Sequence, residues 1–522
     1  MSAILDFLHR LSGLFGQDFF LILPEMELAL FGLAILLLDY LLSAKEKAFN
    51  AVVAMFGVGF SGYSLYRLRA LGPDAIGGFG GSIIVDPFFL YFGLIFLVAT
   101  ALVILISVRY LQIEDEHHGE YYALLLFATV GMMFMAGGYD LIVQFVGLET
   151  MALSFYILTG FLRHQRRSNE AAVKYLLLGA FSSGLLAYGF SLLYGISAMA
   201  DLSGPGGLPL QVPRTNLDVV RTALALRGPA DLLVMLAVVT VSAGLFFKVA
   251  AVPFHQWAPD VYEGAPTSIS AYVSVASKTA SFALLLRLFL YAFWPVRADW
   301  VGIIGVVAVA SLTVGNLAAI TQSNVKRLLA YSSISHVGYI LLGLVAALSG
   351  PDGNETGLKG IAFYLFVYAF MTIGAFTIVI VLRRQGLIGD EIEDLNGLIQ
   401  RSPTAAVLLL IFMLSLAGIP PLAGFVGKYY ILLALIQTQH YYLALFAALY
   451  IVPALYYYFR IVAHAWLREP ANANDPLPRI SAGQSVALAA TCAVTIAAGI
   501  YPEPFIRLAS YSLVIPAALF GR

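Results

Sequence analysis

The chain of 522 residues is 60% hydrophobic and only 11% charged, against about 25% charged residues in soluble domains. This excludes an ordinary water-soluble globule, and it excludes a disordered chain, which would be polar and charge-rich. With 29 Lys and Arg against 30 Asp and Glu, the net charge of −1 offers no basic footprint for nucleic acid.

Apolar runs of roughly 20 residues recur along the whole length, each long enough to cross a ~30 Å hydrocarbon core as a helix. The expected fold is an all-α integral membrane protein with about fourteen transmembrane helices by the hydropathy-window argument. In chain order the predicted spans are 19–42, 47–68, 84–110, 120–138, 140–162, 169–197, 231–251, 265–292, 299–321, 327–349, 358–384, 403–437, 441–467 and 482–510. No basic stretch or small-residue cleavage site precedes the first run, so it is expected to be retained as a span. The glycine-rich stretch Gly77–Gly81 follows no predicted strand and lacks the P-loop lysine, so it reads as a flexible loop rather than a nucleotide site. The two longest polar interruptions, 198–230 and 385–402, read as extramembrane loops; the second carries Asp390, Glu391, Glu393 and Asp394. Cys492, the single cysteine, sits in an apolar run and cannot alone form an intrachain disulfide or hold a metal cluster.

Basic residues set the orientation. One set of alternate loops holds Lys45 and Lys47, Arg109, Arg163 with Arg166 and Arg167, Lys326 and Arg327, Arg383 and Arg384 with Arg401, then Arg468 and Arg479. The opposite set holds Arg67, Arg69, Arg214, Arg221, Arg227 and Arg297. The first set is richer and hugs the span ends, so it is expected to be cytoplasmic, with both termini outside; Arg67 and Arg69 oppose the trend.

The sequence also echoes itself. Tyr156-Ile157-Leu158-Thr159-Gly160 resembles Tyr339-Ile340-Leu341-Leu342-Gly343, 183 residues later, and Lys248 near a proline has a counterpart in Lys428, 180 residues later. Both offsets suggest a duplicated five-helix unit whose odd helix number inverts the second copy. The predicted organisation is a three-helix segment at 1–118, repeats at 119–293 and 294–468, and a C-terminal helix at 469–522.

Charge at membrane depth is costly and marks a functional site by default. Glu149, Lys174, Lys248, Lys278 and Lys428 qualify. Lys174 lies about one turn inside its span, where snorkelling to the headgroups is also open to it; Lys278 and Lys428 lie deeper in apolar sequence. Pro253 removes the donor that would serve the carbonyl of Val249 beside Lys248, and Pro420-Pro421 does the same to Leu416 and Ala417 ahead of Lys428. Spans seven and twelve are therefore expected to be broken, with their freed carbonyls facing protein or water. Burial brings lysine and glutamate, unlike arginine, towards titration near neutral pH. At an effective dielectric of 20, opening a pair from ~4 to ~8 Å weakens it by about 2 kcal/mol. Moving one charge against 100 mV takes ~2.3 kcal/mol, so a chain of coupled pairs is expected rather than one. His336, among Ser332, Ser333 and Ser335, fits a relay and a packing histidine equally. Glu114, Asp115, Glu116, His117 and His118 read as a solvated loop, and His255, Trp257, Asp260 and Glu263 as caps and contacts around the span-seven break.

The blocks FFKVAAVPFHQWAPDVYEGAPTSISAYVSVASKTASF, KRLLAYSSISHVGYILLGL, LSLAGIPPLAGFVGKYYIL and RSNEAAVKYLLLGAFSSG closely resemble the subunit N family of proton-pumping NADH:quinone oxidoreductase, respiratory complex I. The resemblance is colinear over nearly the whole chain. WAPDVYEGAP separates this family from the antiporter-like sisters L and M, and lysine rather than glutamate at 428 fits N or L. The resemblance implies fourteen transmembrane helices in two inverted five-helix repeats, with helices seven and twelve broken. It implies a proton-translocating subunit energised by electron transfer elsewhere, with Glu149, Lys174, Lys248, Lys278 and Lys428 matching the family's charged positions. No cofactor is implied in this chain; NADH, FMN, iron–sulfur clusters and quinone are expected in partner subunits. The partners implied are the other membrane subunits, especially M and the small subunits J and K, in the inner membrane of a bacterium. The repeat echo places Ser332 opposite Glu149, leaving the second half without an obvious carboxylate. Two other readings resemble the same residues: a Mrp-type cation/proton antiporter subunit, and the equivalent subunit of the plastoquinone-reducing photosynthetic complex. A structural scaffold without transport is the non-transport alternative.

Overall fold

The computed structural model describes residues 16–43, 46–72, 75–200, 212–383, 389–470 and 480–512. Of the residues that set the expected orientation, Lys45, Arg384 and Arg479 lie outside these, as do both chain ends. The principal helices are α1 (Leu23–Leu41), α2 (Phe49–Arg69), α3 (Pro87–Glu114), α4 (Gly119–Gly137), α5 (Leu141–Thr159), α6 (Arg166–Met199), α7 (Leu232–Val249) and α8 (Thr267–Ala292). They continue with α9 (Ala298–Ile320), α10 (Val325–Leu348), α11 (Glu355–Leu382), α12 (Pro403–Ala417), α13 (Ala423–Gln437), α14 (Tyr441–Leu467) and α15 (Ala482–Ile500).

Among the described residues, twelve helices are long and apolar enough to cross a membrane. Two predicted spans differ from these. Span 47–68 is α2, a 21-residue helix with Ser61, Ser64 and Arg67 along it. Span 403–437 is two 15-residue helices, α12 and α13, parted at the Pro420-Pro421 pair.

Short polar residues fix where several helices begin. Asp86, Asp140, Asp231, Asn324 and Asn354 each accept a hydrogen bond from a backbone N–H in the first turn of α3, α5, α7, α10 and α11. Those donors have no intrahelical partner, and without water in the bilayer core a cap supplies one. Three helices stop on left-handed residues, α3 at Asp115 (φ 57°), α7 at Ala250 (φ 61°) and α12 at Gly418 (φ 87°).

Helices α8 and α11 are buried throughout their most apolar windows, whereas α1, α14 and α15 bury a third or less of theirs. The inner helices are apolar on all sides because protein surrounds them; the outer ones are apolar because lipid does. Glycine permits the closest helix crossings. A Cβ on Gly131 of α4 would stand 2.5 Å from the Gly147 carbonyl and the Met151 amide of α5, and one on Gly315 of α9 would stand 2.5 Å from the Ser335 amide of α10.

The stretch Gly77–Gly81 is not a loose loop. Strand β1 (Ile76–Gly78) pairs antiparallel with β2 (Ile83–Val85), Ile76 opposite Val85, and the Phe79 amide donates to Asp18 at 2.8 Å. The β-branched residues flanking the glycines supply the strand propensity, while Gly80 and Gly81 (φ 66° and 87°) make the turn.

Candidate functional site

The breaks predicted from the prolines place the charged residues. Lys248 lies in the last turn of α7, buried with 6% exposure, and its Nζ donates to Ser183 Oγ of α6 at 3.1 Å. Glu149 of α5 acts on Lys248 through its charge without an ion pair between them, and its buried Oε1 has no hydrogen-bond partner among the described residues. The broken end of α7 is sealed by Trp257, whose Nε1 donates to the Phe247 carbonyl at 2.9 Å while its ring stacks on Tyr175 with centroids 4.7 Å apart. Trp257 opens the short helix Trp257–Gly264 that follows the break.

Lys278 stands on α8 immediately after a π-helical turn, Val273–Ser277, a local widening often found at functional sites. Its Nζ donates to Ser333 Oγ at 2.8 Å and to the Ser333 carbonyl at 3.3 Å, with the Tyr262 ring 6.0 Å away. Lys428, in α13, donates to the carbonyls of Ala417 and Leu416 at the broken end of α12 and lies 4.9 Å from the Tyr339 ring centroid. Each of these two lysines is 2% exposed. Among the described residues neither makes an ion pair, so their partners are hydroxyls, carbonyls and aromatic faces.

His336 is buried in α10, within electrostatic reach of both Lys278 and Lys428. Both ring nitrogens are engaged, Nδ1 with the Tyr364 hydroxyl at 2.5 Å and Nε2 with the Tyr458 hydroxyl at 3.1 Å; Tyr458 in turn bonds Ser332. Of the serines flanking His336, Ser332 joins this hydroxyl chain, Ser333 holds Lys278, and Ser335 accepts from Asn316 at 2.8 Å.

Lys174 differs from the other lysines. Its side chain is 42% exposed and pairs with Glu170 and Asp260, each at 2.8 Å. Asp260 is shared with Arg327, which also holds Glu263. Burial works against a charged carboxyl at Asp260, but the hydrogen bonds from Lys174 and Arg327 outweigh it and hold the group below its ordinary range. Asp260 and Glu263 are therefore ion-pair partners across helices, the contacts expected around the span-seven break.

Some buried charges escaped the sequence reading. Arg287 in α8 makes a two-pronged pair with Asp86 at 2.8 and 3.0 Å, donates to the Ala136 carbonyl, and covers the Phe88 ring. Lys326 is 4% exposed and donates to the Ala265 carbonyl at 2.7 Å. Glu114 is no solvated loop residue: it pairs with Arg383 at 2.5 Å with both side chains 9% exposed, and accepts from Gln165. The signal for Arg287 was present in LLLRLFLYAF, an arginine inside a predicted span, which meets the same rule as the lysines. Among the described residues no group of three or more His, Cys, Asp or Glu is placed to hold a metal ion.

Residues 138–452 match the model of the family described as NADH:quinone oxidoreductase/Mrp antiporter, transmembrane. The chain is 54% identical over 504 residues to NADH-quinone oxidoreductase subunit N 2 of Solibacter usitatus, covering 95% of this chain and 98% of that one. A chain of respiratory complex I from Thermus thermophilus superposes with a TM-score of 0.74 at 28% identity, covering 94% of this chain and all of that one. A chain of the Mrp complex from Dietzia shares the fold with a TM-score of 0.78 at 22% identity, over 95% of this chain and 98% of that one.

Proposed function

Because the chain belongs to the subunit N family of NADH-quinone oxidoreductase, an antiporter-like membrane subunit, we propose that it translocates protons through a buried Lys/Glu relay driven by electron transfer in other subunits. The observation that carries this reading is the placement of three buried lysines, Lys248, Lys278 and Lys428, on hydroxyls and freed carbonyls rather than on fixed counter-ions. An amine so held can lose its proton and keep its hydrogen-bonding surroundings, because the neutral amine still has two N–H donors for carbonyls and a hydroxyl can donate to it as well as accept. His336, bonded to Tyr364 and Tyr458 and within electrostatic reach of Lys278 and Lys428, serves as the step between them in this reading, and Glu149 biases Lys248 at the other end. Lys174 belongs to the rim of this system, set by its carboxylates.

The relay runs through two inverted five-helix repeats, 119–293 and 294–468, between the segments 1–118 and 469–522. Two observations support the duplication. Both lysine-bearing breaks end on a left-handed residue, Ala250 and Gly418. The tight crossing of Gly131 on Met151 recurs as Gly315 on Ser335, each residue 184 positions after its counterpart. That offset sets Ser333, the partner of Lys278, opposite Glu149, in place of the Ser332 that the sequence echo suggested. In this reading the chain lies in the bacterial inner membrane with both termini on the periplasmic side, next to subunits M, J and K. NADH, FMN, the iron–sulfur clusters and quinone belong to its partners.

The test is to measure proton uptake into vesicles and quinone reductase activity for the assembled complex carrying Lys248→Ala or Glu149→Gln. Impaired pumping is expected in both; pumping and reductase activity unchanged in both would refute the relay.

A further inference from the structure

Between the charged rim and Lys248 lies one face of α6. Ala171, Tyr175, Gly179 and Ser183 recur every four residues and are all buried, so they form a single stripe. At one end, Ala171 lines a cavity of about 210 Å³ together with Lys174, Asp260, Glu263 and Arg327. This cavity is polar and has room for several waters. It opens beside the starts of α6 and α10, where the basic-residue pattern predicts the cytoplasmic face. At the other end, Ser183 receives the Lys248 Nζ.

Midway stands Tyr156 of α5. Its ring packs edge-on to Tyr175, with centroids 4.9 Å apart, and its hydroxyl rests on Gly179, where no side chain intervenes. The hydroxyl is near Ser183 and within electrostatic reach of Glu149, which lies seven residues earlier on α5. It forms no direct hydrogen bond of normal geometry, although the residue is 6% exposed. A buried hydroxyl with no better partner than a poorly placed Ser183 is costly to leave so, and the usual resolution is an ordered water bonded to it. Gly179, lacking a side chain, lets the hydroxyl come up against the α6 backbone.

We infer that the Tyr156 hydroxyl is a water-bridged step by which protons pass from the Lys174–Asp260 cavity to the Glu149–Lys248 pair. The phenol stays neutral overall: its oxygen takes a proton from a hydronium on the cavity side as its own O–H proton leaves to the Glu149 carboxylate, or through the Ser183 hydroxyl to the neutral Lys248 amine. The inference rests on the relay reading above and adds an entry path to it.

Tyr156→Phe isolates the hydroxyl because it keeps the ring and its packing. In vesicles holding the assembled complex, the ratio of protons moved to quinone reduced is expected to fall clearly below the parental value, because a positioned proton-transfer group is lost. Gly179→Ala, whose Cβ would run into the Tyr156 hydroxyl, should produce the same loss. Gly184→Ala on the same helix, with nothing within 4 Å of the added atom, should pump as the parent does. A normal ratio in Tyr156→Phe overturns the inference; if that variant fails to assemble, a normal ratio in Gly179→Ala overturns it instead. Lys248→Ala in the same assay separates the two levels. If it pumps normally the relay itself fails, whereas loss there with normal pumping in Tyr156→Phe removes only this path.

Discussion

Lys428 donates from Nζ to the carbonyl oxygens of Ala417 at 2.8 Å and Leu416 at 3.1 Å. Those are the two carbonyls that an unbroken helix would satisfy from the amides of residues 421 and 420, both of which are proline. The sequence that breaks the helix thus creates the acceptors for the lysine, and α13 brings the lysine back to them.

Structural and proton-carrying roles at Lys428 separate on this geometry. Lys428→Met removes both donors and leaves two buried carbonyls unpaired, at about 1–3 kcal/mol each. Lys428→Gln keeps a donor but cannot titrate. The melting temperature of the purified complex should therefore fall further for the methionine variant than for glutamine, while proton pumping is lost in both. Pumping at the parental rate in Lys428→Gln would remove Lys428 from the relay.

The Arg287–Asp86 pair is a different use of buried charge. Arginine does not lose its proton in proteins, and here it ties α8 to the start of α3 and the end of α4. Breaking it with Asp86→Ala strands a buried cation, an effect of about 3–5 kcal/mol. The amount of assembled complex on a native gel should drop sharply, whereas Arg287→Met combined with Asp86→Leu should restore much of it. Pumping per assembled complex should stay near parental in the double variant.

The helical membrane fold was legible because hydropathy and helix breaking are local properties: spans seven and twelve break where their prolines lie. The lysines were legible for a related reason, since charge inside an apolar run stands out in one dimension. Partners were not. The contacts of Lys278 with Ser333, and of His336 with Tyr364 and Tyr458, join helices 28 to 122 residues apart, and no periodicity encodes such pairings. Lys174 shows the converse: its sequence position suited burial or snorkelling, and Asp260, 86 residues away, ties it to the rim.

Asp260 makes a pH dependence with a definite sign. Its carboxyl is held below the ordinary range by Lys174 and Arg327 despite partial burial. A depressed carboxyl contributes stability that is complete above its unfolded pKa, about 4, and is lost as pH falls through the folded value. Thermal stability of the solubilised complex should accordingly decline below about pH 4 less steeply in Asp260→Asn than in the parent. Equal acid slopes would show that the carboxylate is not held by its two cations.

Helix crossing at Gly131 and Gly315 sets a limit on side-chain size that the lysine geometry depends on. A Cβ at Gly131 meets backbone atoms of α5 at 2.5 Å, and backbone cannot rotate aside as a flexible side chain can. Glu149 lies between Gly147 and Met151, the two residues contacted, so separating α4 from α5 moves the helix that carries the carboxylate. At Gly315 the contacted residue is Ser335, next to His336. Gly131→Ala and Gly315→Ala should each cost about 1–3 kcal/mol by overpacking, read as a lower melting temperature, and each should also weaken pumping by shifting Glu149 or His336. Gly59→Ala in α2, with nothing within 4 Å of the added atom, should be neutral or slightly stabilising, because alanine is the better helix former. A parental melting temperature in Gly131→Ala would mean that α4 and α5 can part without cost, and the crossing would then not fix the position of Glu149.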